Sequence, residues 1–166
     1  MLTAHEIFGF MSPALAQEIV EQLHTGSKEV YRATVAAVAE ARKVRPVFLE
    51  RKPRTERNKD IAASLCKPGL ESLAVNVLQA WLLKCQSAML ADFLNALGIP
   101  HKDGMVDDLP ATMDDAKLKA AVEALLAKYP PAHVAVYLRA FNDLNEAKWA
   151  SLTEMLDKDA RLQLGS

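Results

Sequence analysis

The clearest pair of chemistry-bearing side chains in the sequence is Glu21-x-x-His24, a carboxylate and an imidazole three residues apart. At that spacing both groups lie on one face of a helix, as they do in di-iron carboxylate bundles. Such bundles need a second pair of the same kind and two further inward-facing glutamates, and the chain has no second Glu-x-x-His. We therefore interpret the pair as part of a solvent-facing last turn of a helix.

A second group of metal-type ligands follows Gly98. His101, Asp103, Asp107 and Asp108 lie in one turning segment, where their nitrogen and oxygen atoms could meet on a divalent cation. Their spacing matches no calcium-binding loop. A solvated acidic loop is the favoured interpretation, and the four residues remain candidate metal ligands.

Glycine spacing excludes the common phosphate-binding motifs. The six glycines stand at least six positions apart, whereas G-x-G-x-x-G and G-x-x-x-x-G-K need closer pairs. The sequence also lacks G-x-S-x-G and H-E-x-x-H. It therefore predicts no catalytic residue, no cofactor-binding residue and no cofactor.

The strongest functional signal is a basic segment at residues 42–59. Eight lysines and arginines stand there against two glutamates, a net charge of +6 in a chain whose net charge is −1. Such a cluster could follow phosphates, either those of a nucleic acid or those of a lipid head group, and nucleic acid is the alternative we carry forward. The candidate contacts are Arg45, Arg51, Lys52, Arg54, Arg57 and Lys59. Only Phe48 is present for base stacking, and the alternative is a solvated connector paired with the acidic loop after Pro100.

The elements that must position these residues are helical. Hydrophobic residues make up 51% of the chain but aromatic residues only 6%, a balance that favours helices. The longest helical pattern opens at Pro68, closes at Gly98 before Pro100, and has a wide apolar arc around Trp81. We predict an all-α, multi-helix bundle of about seven helices packed around a long central helix, residues 69–97.

Helix starts are marked by three capping patterns. These are Thr3-x-x-Glu6, Ser12-Pro13 and Thr112-x-x-Asp115. Length predicts one helical domain over residues 1–166. The irregular stretch 99–112 is the expected hinge between an N-terminal helical part, residues 1–98, and a C-terminal three-helix part, residues 113–166.

The location of the protein and the state of its thiols are predicted from motifs that the sequence lacks. Charged residues interrupt the apolar run of the central helix, so no membrane span is expected. The first ten residues do not resemble a signal peptide, and a cytoplasmic location is expected. Cys66 and Cys85 lack C-x-x-C spacing and are expected to be two buried thiols.

Near the N-terminus, four large apolar side chains crowd into five positions: Ile7, Phe8, Phe10 and Met11. One face of a short helix should not bury all four, so this segment docks beside the central helix or packs against a second copy, the favoured outcome being a homodimer.

We predict a non-catalytic helical protein-interaction module that binds itself or another helix. The alternative is a small nucleic-acid-binding domain using residues 42–59, and the third is an enzyme or metal-binding protein with an unrecognised site.

Overall fold

The computed structural model describes residues 2–102, 109–144 and 149–164. The described chain contains ten α-helices: α1 (Ala4–Phe10), α2 (Pro13–Gly26), α3 (Lys28–Ala41), α4 (Pro46–Glu50), α5 (Arg54–Leu65), α6 (Glu71–Ala80), α7 (Ser87–Leu97), α8 (Asp115–Lys128), α9 (Pro131–Leu144) and α10 (Ala150–Lys158). The predicted all-α, multi-helix class is confirmed. No helix of the described residues is long and apolar enough to cross a membrane.

Backbone contacts divide the chain into two compact units. One spans Thr3–Cys85 and holds α1 to α6; the other holds the residues from Gln86 onward together with Leu2. The predicted hinge at 99–112 contains residues 103–108, which lie outside the described part, so it stays a prediction.

The first unit has a core of large aliphatic side chains around one tryptophan. Ile19 and Leu23 of α2, and Ile61 and Leu65 of α5, are one helical turn apart and fully buried, which explains the close packing of these two helices. Trp81 is fully buried, and its indole Nε1 donates a 2.8 Å hydrogen bond to Gln22 Oε1. The indole N–H of Trp81 thus has a hydrogen-bond partner, while the rest of the ring is packed in the core.

The predicted central helix at 69–97 is interrupted. α6 ends at Ala80, a π turn occupies Trp81–Cys85, and α7 begins at Ser87. Gln86 leaves helical geometry, with φ −118° and ψ 32°. The side-chain periodicity did not reveal this break because no proline or glycine marks it.

The π turn packs against the end of α2. The Cys85 thiol points at the backbone carbonyl of Gln22, with its sulfur 3.5 Å from that oxygen. A β-carbon added at Gly26 would lie 2.8 Å from Cys85 Sγ, so any larger residue there would force the Cys85 side chain to shift. Cys85 is half-buried, but Cys66 is exposed at the end of α5, so the expectation of two buried thiols was wrong for Cys66.

Helix α1 takes the first of the two arrangements predicted for the N-terminal apolar segment, docking on helices of its own unit, and the homodimer stays a prediction. Ile7, Phe8 and Met11 are buried, and α1 packs on α6 and α5 of its own unit. Together with Ala4 they follow the i, i+3, i+4, i+7 pattern of one helix face, so a single neighbouring surface buries them all. Only Phe10, 59% exposed, remains available for self-association.

Two of the predicted helix ends are observed as expected. Ser12 Oγ accepts a hydrogen bond from the Leu15 amide at 3.2 Å, and Gly98 takes the left-handed conformation with φ 71°. Thr3 does not cap α1, because its hydroxyl donates to Glu6 Oε1 instead. At α8 the cap is Asp114, so the predicted box at Thr112 is wrong.

The second unit is organised around an aromatic cluster. Phe141 meets Phe93 edge-on with ring centroids 5.2 Å apart, and meets Trp149 at 5.5 Å. Trp149 Nε1 donates to the Pro110 carbonyl at 2.7 Å. Tyr137 is fully buried in the same cluster, but its hydroxyl has no hydrogen-bond partner among the described residues.

Candidate functional site

Large apolar side chains are exposed together at the junction of α3 and α4. Val44, Val47 and Phe48 are 42%, 38% and 56% exposed, whereas Leu49 is buried and anchors α4 to the rest of the unit. Three of the five exposed large apolar side chains of the described chain therefore fall within five positions. We call residues 43–51 the α4 ridge.

The backbone at the end of α3 creates this ridge. The Val44 amide donates to the Ala39 carbonyl at 3.0 Å and the Lys43 amide to Glu40 at 3.0 Å, which is the hydrogen-bond pattern of a Schellman ending. Lys43 accordingly has a positive φ of 58°. Arg45 is then extended, as the residue before a proline must be, and Pro46 opens α4.

The same ending occurs at the end of α7, with a different outcome. There Gly98 holds the left-handed position and Ile99, whose amide donates to Leu94 at 3.0 Å, is buried. The equivalent residue after α3 is Val44, which stays exposed. A lysine in place of glycine costs roughly 1 kcal/mol of backbone strain. The α4 ridge thus exposes the apolar side chain of Val44 to solvent and places the cation of Lys43 on a strained backbone.

Contacts within the unit neutralise some of the predicted nucleic-acid contacts. Lys52 Nζ lies 2.5 Å from Asp60 Oδ2, and Arg54 Nη2 lies 3.0 Å from Glu21 Oε1. The hydrogen bond from Lys52 lowers the pKa of Asp60, with a further contribution from Arg42, against the opposing effect of burial. Lys52 and Arg54 are therefore occupied inside the chain.

The remaining cations differ in their surroundings. Lys43, Arg45 and Arg51 on the ridge, and Lys59 on α5, are exposed and have no ion pair or side-chain hydrogen bond within the described ranges. Arg57 instead turns toward α3. The ridge consequently carries three unpaired cations against the single carboxylate of Glu50.

Arg57 belongs to a cleft beside Glu50 that we call the Tyr31 cleft. Its volume is about 360 Å³, and it is lined by His24, Lys28, Tyr31, Arg32, Val35, Glu50 and Arg57. The Arg57 guanidinium carbon lies 5.8 Å from the centre of the Tyr31 ring. Its Nε is buried and has no hydrogen-bond partner among the described residues, an arrangement that costs about 1–3 kcal/mol.

A hydrogen-bonded chain holds the Tyr31 ring in place. The Tyr31 hydroxyl donates to Asn58 Oδ1 at 2.6 Å, and Asn58 Nδ2 donates to Glu21 Oε2 at 2.6 Å. Glu21 also pairs with Arg54, so its carboxylate is engaged on both oxygens. His24 meets Tyr31 edge-on at 4.8 Å. Glu21 and His24 therefore make separate contacts, Glu21 with Asn58 and Arg54 and His24 with Tyr31.

The proposed metal ligands after Gly98 are mostly untested. His101 has one ring nitrogen 2.8 Å from Asn95 Oδ1, while Asp103, Asp107 and Asp108 lie outside the described residues. In the described ranges, no group of three or more histidine, cysteine, aspartate or glutamate side chains is placed to hold a metal ion.

Sequence reasoning missed the Tyr31 cleft, although part of its signal was present. Lys28, Tyr31, Arg32 and Val35 follow i, i+3, i+4, i+7 spacing, which places two cations on the same face of α3 as an aromatic ring. The other lining residues come from α2, α4 and α5, and their convergence cannot be read from spacing.

Comparison of the chain with protein-family models, curated proteins and solved structures gives no match.

Proposed function

We propose that this chain is a helical protein-interaction module that uses the α4 ridge to bind an acidic polypeptide segment with apolar side chains. The observation that carries the proposal is the coincidence of three exposed apolar side chains with three unpaired cations in nine consecutive residues. Scattered exposed apolar residues are common on monomers, but a group with charged neighbours is typical of a contact surface.

The two components of the ridge would act at different stages of binding. Arg45 and Arg51 attract acidic segments over a Debye length and raise the association rate. Phe48 is the natural anchor, because aromatic side chains supply much of the energy at interfaces.

Charge argues against a second copy as the partner on this surface. In a two-fold dimer the same patch faces itself, so the cations of one ridge would oppose those of the other. An acidic partner removes that repulsion. Self-association through Phe10 on α1 stays a separate prediction.

Peptide binding tests the proposal directly. We would titrate the protein into a fluorescein-labelled peptide of glutamates alternating with leucine and phenylalanine, and follow fluorescence anisotropy. A version with glutamine for glutamate tests the charge requirement. We expect Phe48→Ser to weaken binding about tenfold or more, and Arg45→Gln with Arg51→Gln to slow association and flatten its salt dependence.

Matched controls are available for both components. Phe10→Ser removes an equally exposed phenylalanine away from the ridge, and Lys59→Gln removes an unpaired cation on α5. Both should bind the peptide as the unaltered chain does. Equal loss in Phe48→Ser and Phe10→Ser would contradict the proposal, as would an unaltered chain that leaves both peptides free at roughly millimolar concentration. Light scattering of Phe10→Ser also tests self-association.

A nucleic-acid-binding surface is the second candidate, favoured by the exposed Phe48 ring between Arg45 and Arg51. A single strand could stack a base there while the cations contact phosphates. Oligothymidine binding with a steep salt slope would support it. The variant with serine at both Val44 and Val47 separates the candidates, because valine does not stack on bases. Its oligothymidine binding would persist, whereas its peptide binding would fall.

A further inference from the structure

We propose that the Tyr31 cleft binds the phosphoryl group of a small ligand, either free phosphate or a phosphate monoester. This site shares Glu50 with the α4 ridge but has its own cations, and it does not depend on the function proposed for the ridge. Three features support it: the balance of charge in the cleft, the state of Arg57, and the surroundings of His24.

The cleft has more positive than negative charge. Lys28, Arg32 and Arg57 face the single carboxylate of Glu50, a net charge of +2 when His24 is neutral. Lys28, Arg32 and Glu50 have no ion pair or side-chain hydrogen bond in the part of the chain that the structure describes. A phosphate monoester carries close to two negative charges at pH 7 and would balance the cleft.

Arg57 is held in position without being neutralised. Its guanidinium packs over the Tyr31 ring, whose hydroxyl is held by Asn58, and Asn58 is held in turn by Glu21. Its one hydrogen bond in the described chain is a long one, 3.5 Å from Nη2 to the Lys52 carbonyl, and Nε has no partner. Nε itself is enclosed, so the terminal Nη1 and Nη2 of this planar guanidinium are the donors that suit the oxygen atoms of a phosphoryl group.

The surroundings of His24 lower the pKa of its imidazole. Burial lowers its pKa first, and the positive charges of Arg54, Lys28 and Arg57 lower it further, against the opposing effect of Glu21. An imidazole kept neutral near pH 7 offers a hydrogen-bonding nitrogen without adding charge.

The rest of the cleft limits what else the ligand contains. Tyr31 and Val35 give it an apolar side, and the free Glu50 carboxylate can accept a hydrogen bond from a hydroxyl or an amine. A volume of about 360 Å³ is near the lower end of the range for small-molecule sites, roughly 300–1,000 Å³. Glycerol 3-phosphate, which combines a phosphoryl group with hydroxyls, is a suitable probe.

Thermal unfolding of the full chain provides the first test. Inorganic phosphate and glycerol 3-phosphate are compared with sodium chloride plus glycerol at the same ionic strength. Binding to the folded state raises Tm with increasing ligand concentration. We expect Arg32→Gln to weaken binding about tenfold, since it removes an exposed guanidinium without removing buried contacts. Arg51→Gln, the same change on the ridge, should leave it unaltered.

The imidazole resonances locate the ligand. Phosphate should shift the His24 signal while those of His5 and His133 stay in place. A larger effect of glycerol 3-phosphate than of inorganic phosphate identifies a monoester site, and equal effects identify a site for free phosphate; both support a phosphoryl ligand. An equal Tm rise with sodium chloride, equal loss in Arg32→Gln and Arg51→Gln, or an unmoved His24 signal at saturation would each overturn the proposal.

The two sites can fail independently. Arg51→Gln is expected to impair acidic-peptide binding but not phosphate binding, and Arg32→Gln the reverse. Loss of the peptide result therefore leaves the phosphate result intact.

Discussion

The Glu71 carboxylate at the start of α6 accepts a 3.0 Å hydrogen bond from the backbone amide of Ala4, the first residue of α1. Its other oxygen accepts from the His5 amide at 2.9 Å and lies 2.7 Å from His5 Nδ1. These amides have no partner within α1, and a negative charge is favourable at the positive end of a helix. Glu71 thus performs the capping role that the sequence assigned to Thr3.

Glu71→Gln should reduce the free energy of unfolding by about 1 kcal/mol, the usual value of a helix cap. Glu40→Gln, at an exposed position in the last turn of α3, is the control and should change it by less than about 0.5 kcal/mol. Urea unfolding measures both. Equal stability of the two variants would show that the cap contributes nothing.

The same variant should alter the response to acid. Burial tends to raise the pKa of Glu71, but the hydrogen bonds from the His5 amide, the His5 ring and the Ala4 amide outweigh it, so the pKa is below the usual 4.5. Its stabilisation is complete above the unfolded-state pKa and is lost as pH falls through the lower folded-state value. The difference between the unaltered chain and Glu71→Gln should therefore shrink between pH 7 and about pH 3.

Trp81→Ala should destabilise the first unit by about 3–5 kcal/mol, because it removes a fully buried ring and the hydrogen bond to Gln22. Leu83→Ala, at an exposed position of the same π turn, should cost less than about 0.5 kcal/mol. Denaturant unfolding measures both. A loss below about 1 kcal/mol for Trp81→Ala would contradict the packing described for this residue.

Lys43→Gly should raise the free energy of unfolding by about 0.5–1 kcal/mol, because glycine adopts the left-handed conformation without strain. The same change removes a ridge cation, so acidic-peptide binding should weaken while Tm rises. Gly98→Lys is the reverse experiment and should lower stability. A less stable Lys43→Gly would mean that the lysine side chain stabilises the turn by a contact the backbone does not reveal.

Tyr137→Phe should leave stability unchanged or raise it by about 1 kcal/mol. The Tyr137 hydroxyl is buried without a partner in the described residues, and burial raises the pKa of this group far above its usual value. Removing an unsatisfied polar atom while retaining the ring relieves a desolvation cost. Loss of more than about 1 kcal/mol would reveal a hydrogen bond to this hydroxyl.

Local signals in the sequence predicted local structure well. Ser12 and Gly98 were assigned correctly because a cap depends on residues within one turn. The break at Gln86 escaped prediction because no proline or glycine marks it, and the π turn before it contacts Gln22 and Gly26, which lie about sixty residues earlier.

Pairings between distant residues also determine which cations of the basic segment form contacts within the chain. From the sequence, all six cations are predicted as candidate contacts of nucleic acid. Glu21 and Asp60 engage Arg54 and Lys52, and Tyr31 orients Arg57. Only contacts of this kind separate the exposed Arg45, Arg51 and Lys59 from the other three, and charge counting along the chain cannot supply them.

The cap of α1 also has a consequence during synthesis. A seven-residue helix is marginal alone, and α1 receives both its cap and its main packing surface from α6, 67 positions later. At about 5–20 residues per second, a ribosome needs several seconds to supply that partner. During this interval we expect Ile7, Phe8, Phe10 and Met11 to lie exposed on the nascent chain, where a chaperone can bind them.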